Sequence, residues 1–145
     1  MRRETIQRNI LFLCEDNACL SQMAEAAAKH LSPPRTRIFS AGIKPGIIPF
    51  HVIQAMQELG ISMRGQRSKS LADVPIEEID LVVSFGGAHK ECSSLPRGAR
   101  IEDWKLPNPR AGDDAEPTLA AIREDRDEID KRVFALFLDH WRNAS

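Results

Sequence analysis

The spacing of hydrophobic positions changes several times along the chain, and each change marks an element. Asn9–Cys14 (NILFLC) is a short apolar run, the pattern of a strand buried on both faces. From Ser21 the spacing becomes helical: Met23, Ala24, Ala27, Ala28 and Leu31 fall on one stripe, and Pro33 and Pro34 end it. Arg37–Ser40 predicts a second strand, with Gly42, Pro45 and Gly46 punctuating the loop beyond it. Val52, Ala55, Met56 and Leu59 form a second helical stripe, and Gly60 stands where a C-terminal cap belongs. Ile79–Phe85 (IDLVVSF) is the plainest buried strand and Arg100–Trp104 a weaker one. The tail from Glu116 to Trp141 reads as one long helix with Pro117 in its first turn. Leu119, Ile122, Ile129, Val133, Leu136 and Phe137 make its buried face, and a run of alternating charges makes its solvated one.

Short apolar strands alternating with helices specify an α/β fold: a four-stranded parallel sheet with helices on both faces. Repeats, low-complexity tracts and linkers are absent from the sequence, so residues 1–145 are expected to form a single domain.

Composition narrows the function classes. The chain is 42% hydrophobic and 28% charged, with a net charge of −1. That balance gives no footprint for nucleic acid and no polybasic membrane anchor. Arg2, Arg3 and Arg8 make the start locally basic, as a solvated terminus often is. The apolar runs fall short of the ~20 residues that a membrane span requires. Met1–Arg8 lacks the apolar segment of a signal peptide. Three cysteines, an odd number, argue for a reducing compartment, and a cytoplasmic location is expected.

In parallel sheets, ligands bind beyond the carboxyl ends of the strands. The first such loop is Cys14-Glu15-Asp16-Asn17-Ala18-Cys19-Leu20-Ser21. A cysteine that ends a buried strand and faces a helix N-terminus meets backbone N–H groups and a positive dipole end. Both favour a thiolate or a bound anion. The four histidines, His30, His51, His89 and His140, are scattered, so neither a metal nor another cofactor is expected. Trp104 and Trp141 read as packing residues.

The stretch ILFLCEDNACLSQMAEAAAKHL resembles the opening of low-molecular-weight protein tyrosine phosphatases and of their relatives, the thioredoxin-coupled arsenate reductases. Cys14, Asn17, Cys19, Ser21 and Met23-Ala24-Glu25 match a Cys-x5-Arg-Ser loop and the helix that follows it. The resemblance continues through Ser40-Ala41-Gly42, Gln66-Arg67-Ser68-Lys69-Ser70-Leu71, Asp80–Ser84, Cys92 and Trp104-x-x-Pro107-x-Pro109. The Gln66–Ser70 segment, the Trp104 segment and the lack of tyrosine favour the arsenate reductase branch. The resemblance implies that Cys14 is the nucleophile, that Asn17, Ser21 and Ser40 support the loop, and that Cys19 and Cys92 are available for redox chemistry.

Three departures stand against ordinary chemistry. The resemblance places an oxyanion-clamping arginine where this chain has Leu20, and a general acid where it has Asn108. A redox cysteine expected after the third strand is missing from Ser84–Ala88, which leaves Cys92 alone there. Glu15 and Asp16 also make the loop acidic. One such charge ~6 Å from a dianion opposes it by up to ~3 kcal/mol per unit charge at an effective dielectric of 20, and by less when exposed. The same carboxylates raise the Cys14 pKa, and Asp16 is strained if its backbone needs a positive φ.

These features predict a family member without normal catalysis, in a binding or regulatory role, with a protein or a weakly held phosphate- or arsenate-like oxyanion as partner. A thiol redox protein using Cys14, Cys19 and Cys92 is one alternative. An active enzyme whose cation comes from Lys44, Arg64, Arg67, His89 or Lys90 is the other. Phe85 is expected to fill part of the pocket.

Overall fold

In the computed structural model, residues 8–106 and 117–144 are described, with side chains to residue 138. Asn108 with its flanking prolines, and the side chain of Trp141, lie outside the described residues. The strands are β1 (Arg8–Cys14), β2 (Thr36–Gly42), β3 (Leu81–Ser84) and β4 (Arg100–Asp103). They form one parallel sheet in the order β2-β1-β3-β4. The α-helices are α1 (Leu20–Leu31), α2 (Phe50–Gln57) and α3 (Leu119–Ala144).

β1 is central, which explains its unbroken apolar run. Leu11 and Leu13 face one side of the sheet, and Ile10, Phe12 and Cys14 face the other. The period-2 alternation of a strand therefore decides where Cys14 lies. It points into the core made by α1, α2 and α3, together with Met23, Val52, Ile122, Ile129 and Phe137.

The two faces are covered unequally. All three α-helices contribute to the core on the Cys14 face. The opposite face is covered by the short 3₁₀ turns Leu71–Asp73, Ile76–Glu78 and Ala88–Glu91 and their flanking loops. The four parallel strands match the expected sheet; the layer on the second face is made of short 3₁₀ turns rather than α-helices, the first two separated by Val74-Pro75 and the third lying beyond β3.

The end of α2 agrees with its sequence signal. Gly60 has φ +74°, and the Gly60 and Ile61 N–H groups return to the Gln57 and Met56 carbonyls. At the start of α3, Thr118 rather than Pro117 governs the first turn, its hydroxyl accepting from Ala121 N–H.

Two charges of α3 leave the solvated face. Arg126 is buried, donating to the Ala55 carbonyl and to Glu58. Asp125 is half-buried, and burial, with Glu124 beside it, holds its carboxyl up at about 6. A carboxyl raised above its unfolded value stabilises the fold most at low pH, and this contribution fades as pH rises from about 4 through about 6. Asp125→Asn is therefore expected to raise Tm at pH 8 by ~3 °C, about 1 kcal/mol after allowance for solvent screening, with little change at pH 4. Thermal melts at the two pH values check this; an equal effect at both would refute it.

Candidate functional site

The loop between β1 and α1 is built around Asn17. Its backbone takes φ +49°, a left-handed conformation that Asn tolerates better than most residues. The left-handed residue is thus Asn17, and the backbone strain expected at Asp16 does not arise. The Asn17 side chain is fully buried. Its Nδ2 donates to Ser21 Oγ at 2.8 Å and to Ser40 Oγ at 2.9 Å. Its Oδ1 accepts from Gln22 Nε2 at 3.0 Å and from Lys69 N–H at 2.9 Å. One amide thereby fastens α1, β2 and the Arg67–Ser70 segment to the loop.

The network extends outward from Ser40, whose hydroxyl donates to the buried carboxylate of Glu25. Lys69 Nζ lies 3.2 Å from Ser40 Oγ and 3.4 Å from Glu25 Oε1, and Lys29 pairs with the other Glu25 oxygen at 2.6 Å. Glu25 is thus a buried charge held by two ammonium groups, which is how such a charge is tolerated. Asn17, Ser21 and Ser40 were legible as loop supports; Gln22, Glu25 and Lys69 were missed as partners. The polar Gln22 and Glu25 on an otherwise small-residue helix face were the available signal.

Cys14 Sγ sits inside this frame, buried. It lies 2.8 Å from Ser21 Oγ and accepts from Asn17 N–H at 3.2 Å. Because Asn17 Nδ2 donates to Ser21 Oγ, the Ser21 hydroxyl proton is left for the sulfur. Burial is nevertheless the largest influence and pushes the Cys14 thiol up. The Ser21 hydroxyl pulls it down, the Asp16 charge pushes it up again, and the Ser21 and Asn17 N–H groups pull it down. The net direction is upward, so the protonated thiol is favoured.

Asp16 turns inward. Its Oδ1 accepts from Ala18 N–H at 3.1 Å and from the Cys14 thiol at 3.6 Å. Its carbonyl accepts from Gly46 N–H at 2.8 Å and from Ser68 Oγ at 3.1 Å. Glu15 is exposed, its carbonyl accepting from Lys44 N–H. Leu20 opens α1 with its side chain fully buried in the helix-face core, as is Cys19 just before it.

β2 presses on the loop from the other side. A Cβ on Gly42 would lie 2.7 Å from Asn17 N and 2.8 Å from the Asp16 carbonyl carbon, both backbone atoms. Gly42→Ala is expected to lower stability by about 2 kcal/mol through overpacking that the loop cannot relax, a fall of ~6 °C in Tm. Calorimetry of the variant checks this; a Tm within 1 °C of the parent would refute it.

The remaining sequence candidates are dispersed. No disulfide joins Cys14, Cys19 and Cys92. Cys92 packs against the other sheet face, its thiol pushed up by burial and by Glu91. Lys44, Arg64, Arg67 and Lys90 are exposed. His89 binds Ser84 Oγ through its backbone N–H at 2.9 Å, with Nδ1 at 3.0 Å. Phe85 and Trp104 pack edge to face at 5.7 Å, and Trp104 also meets Phe12, so both rings serve the core. A cavity of about 620 Å³ lies at the opposite, amino ends of the strands, lined by Arg8, Thr36, Asp80, Arg100 and Arg132 among others. Among the described residues, no group of three or more His, Cys, Asp or Glu side chains could hold a metal ion. Among them, too, no helix is long and apolar enough to cross a membrane.

Comparison with known proteins gives this geometry its setting. The family model for low molecular weight phosphotyrosine protein phosphatase matches residues 9–143. The arsenate reductase of Bacillus subtilis (strain 168) is 35% identical over 126 residues, covering 86% of this chain and 91% of that protein. A solved arsenate reductase in the phosphate binding state superposes with a TM-score of 0.74 at 29% identity, over 92% of this chain and 98% of that one. The thioredoxin-dependent arsenate reductase of Corynebacterium glutamicum superposes with a TM-score of 0.74 at 28% identity, over 93% of this chain and 62% of that one.

Proposed function

Because the chain belongs to the low-molecular-weight phosphotyrosine protein phosphatase family, we propose that it keeps the family's cysteine loop as a scaffold while having lost ordinary phosphatase and arsenate reductase turnover. It acts as a one-domain binding or regulatory protein of the cytoplasm, closest to the arsenate reductase branch. The observation that carries this reading is the fate of Leu20. At the position where the resemblance expects an oxyanion clamp, an aliphatic side chain is sequestered in the core. It has no donor and no charge with which to meet a tetrahedral anion.

Two further features support the reading. The Cys14 thiol is pushed toward its protonated form, which is a poor nucleophile. The amide Asn108 at the general-acid position has no proton of the required acidity to give. A protein is the favoured partner, since exposed apolar side chains border the loop. Ile47 and Phe50 are 83% and 72% exposed, on the segment whose Gly46 N–H binds the Asp16 carbonyl. Steady-state turnover of p-nitrophenyl phosphate by the purified, reduced protein tests the proposal. A rate ordinary for the family would overturn it.

A further inference from the structure

We propose that the Asp16 carboxylate is a resident ligand of the loop and the residue that sets its specificity, occupying a backbone donor beside Cys14 that an incoming oxyanion would need. This deepens the reading of the loop as closed to oxyanion turnover and rests on it.

The argument begins with the supply of donors. The consecutive N–H groups of Asn17 and Ala18 are both committed: the first to Cys14 Sγ at 3.2 Å, the second to Asp16 Oδ1 at 3.1 Å. That same carboxylate oxygen also accepts from the Cys14 thiol, 3.6 Å away. An oxyanion seated on Cys14 would have to displace it or share its space, and like charges at that separation repel strongly in a partly desolvated site. The side chain is not there by chance of an exposed rotamer. Asp16 is only partly exposed, and its carbonyl is clamped by Gly46 N–H and Ser68 Oγ. β2 fixes the same turn from behind, because Gly42 leaves no room between the strand and the Asp16–Asn17 peptide. With backbone and Ala18 donor both fixed, the carboxylate faces the thiol.

A purely structural turn would use only the oxygen's acceptor capacity, which an amide supplies equally well. A resident anion needs the charge. Asp16→Asn separates these cases, since it keeps shape and acceptor and removes only the charge.

Two measurements on the full chain test the proposal. In the first, iodoacetamide alkylation of Cys14 is followed by peptide mass at pH 7. Asp16→Asn is expected to react at least ~10-fold faster than the parent because the thiolate is no longer opposed by a neighbouring anion. In the second, inorganic phosphate binding is titrated calorimetrically for the parent, Leu20→Arg and Asp16→Asn/Leu20→Arg. The double variant is expected to bind at least ~10-fold more tightly than Leu20→Arg alone. Circular dichroism verifies folding of the arginine variants, and alkylation decides the matter if they do not fold. An unchanged alkylation rate in Asp16→Asn overturns the proposal whatever the phosphate titration gives. Tight phosphate binding by the parent would overturn both the part assigned to Asp16 and the reading of the loop as disabled, whereas unchanged alkylation without phosphate binding would overturn the first alone.

Discussion

Reduced protein is expected to turn over p-nitrophenyl phosphate at least ~10²-fold more slowly than a relative that carries both the loop arginine and the acidic aspartate, judged by the usual worth of an oxyanion donor and of a general acid. A preorganised donor is worth ~10²–10³ in rate, and a positioned acid ~10²–10⁴. The two losses fall within one site and do not simply multiply, so the lower bound of a single loss sets the floor. The rise of the Cys14 thiol acts in the same direction, because less of the protein carries the attacking thiolate at neutral pH. The measurement is steady-state hydrolysis with a Cys14→Ser protein as blank, alongside arsenate reduction supplied with thioredoxin. A rate within about tenfold of family enzymes would mean that a cation reaches the loop from another segment, and that an aliphatic Leu20 is no obstacle.

Asn17→Ala is expected to be the most damaging single change in the loop, lowering stability by about 3–5 kcal/mol, a large share of the 5–15 typical of a domain. Four hydrogen bonds converge on that side chain, each worth about 1 kcal/mol net when buried. Ser21, Ser40 and Gln22 keep other partners, whereas the Lys69 N–H loses the Asn17 acceptor. Alanine at φ +49° adds about 1 kcal/mol of backbone strain. Asn17→Gly relieves the strain but restores no hydrogen bond, so it is expected to recover only about that amount. Urea unfolding of the three proteins checks the order. Equal stability of Asn17→Ala and the parent would show that the network contributes nothing to the fold.

Much of the fold was legible because its signals are local. The apolar run at Asn9–Cys14 identified the central strand, and the Met23–Leu31 stripe identified α1, since each period reports which face is buried. The loop between them followed directly, with Asn17, Ser21 and Ser40 as its supports. What the sequence left hidden depends on contacts between distant segments. Lys69 and Glu25 are 44 positions apart, and no spacing rule pairs them. Arg126 sits in a charged run, and its burial depends on the Ala55 carbonyl and Glu58, which are far from it in sequence. The acidity of the loop was plain, but the direction of the Asp16 side chain was not. It is set by Gly42 pressing on the turn and by which N–H of the loop is left over. The strain was sought at Asp16 and lies one residue later, because Asn17 must turn its amide inward to reach four partners.

Helix α3 joins a core whose other members all lie earlier in the chain, most of them in its first half. Ile122, Ile129, Val133 and Phe137 pack with residues of β1, α1 and α2. During synthesis, those earlier elements emerge with a greasy flank open to water until residue 137 has cleared the ribosome. Folding is consequently completed late, by contacts that close a loop of most of the protein's length. The nascent chain is most exposed to misassociation in this interval, whereas the sulfur-bearing turn, whose partners Ser40, Ser68 and Lys69 are all made well before α3, waits for its roof.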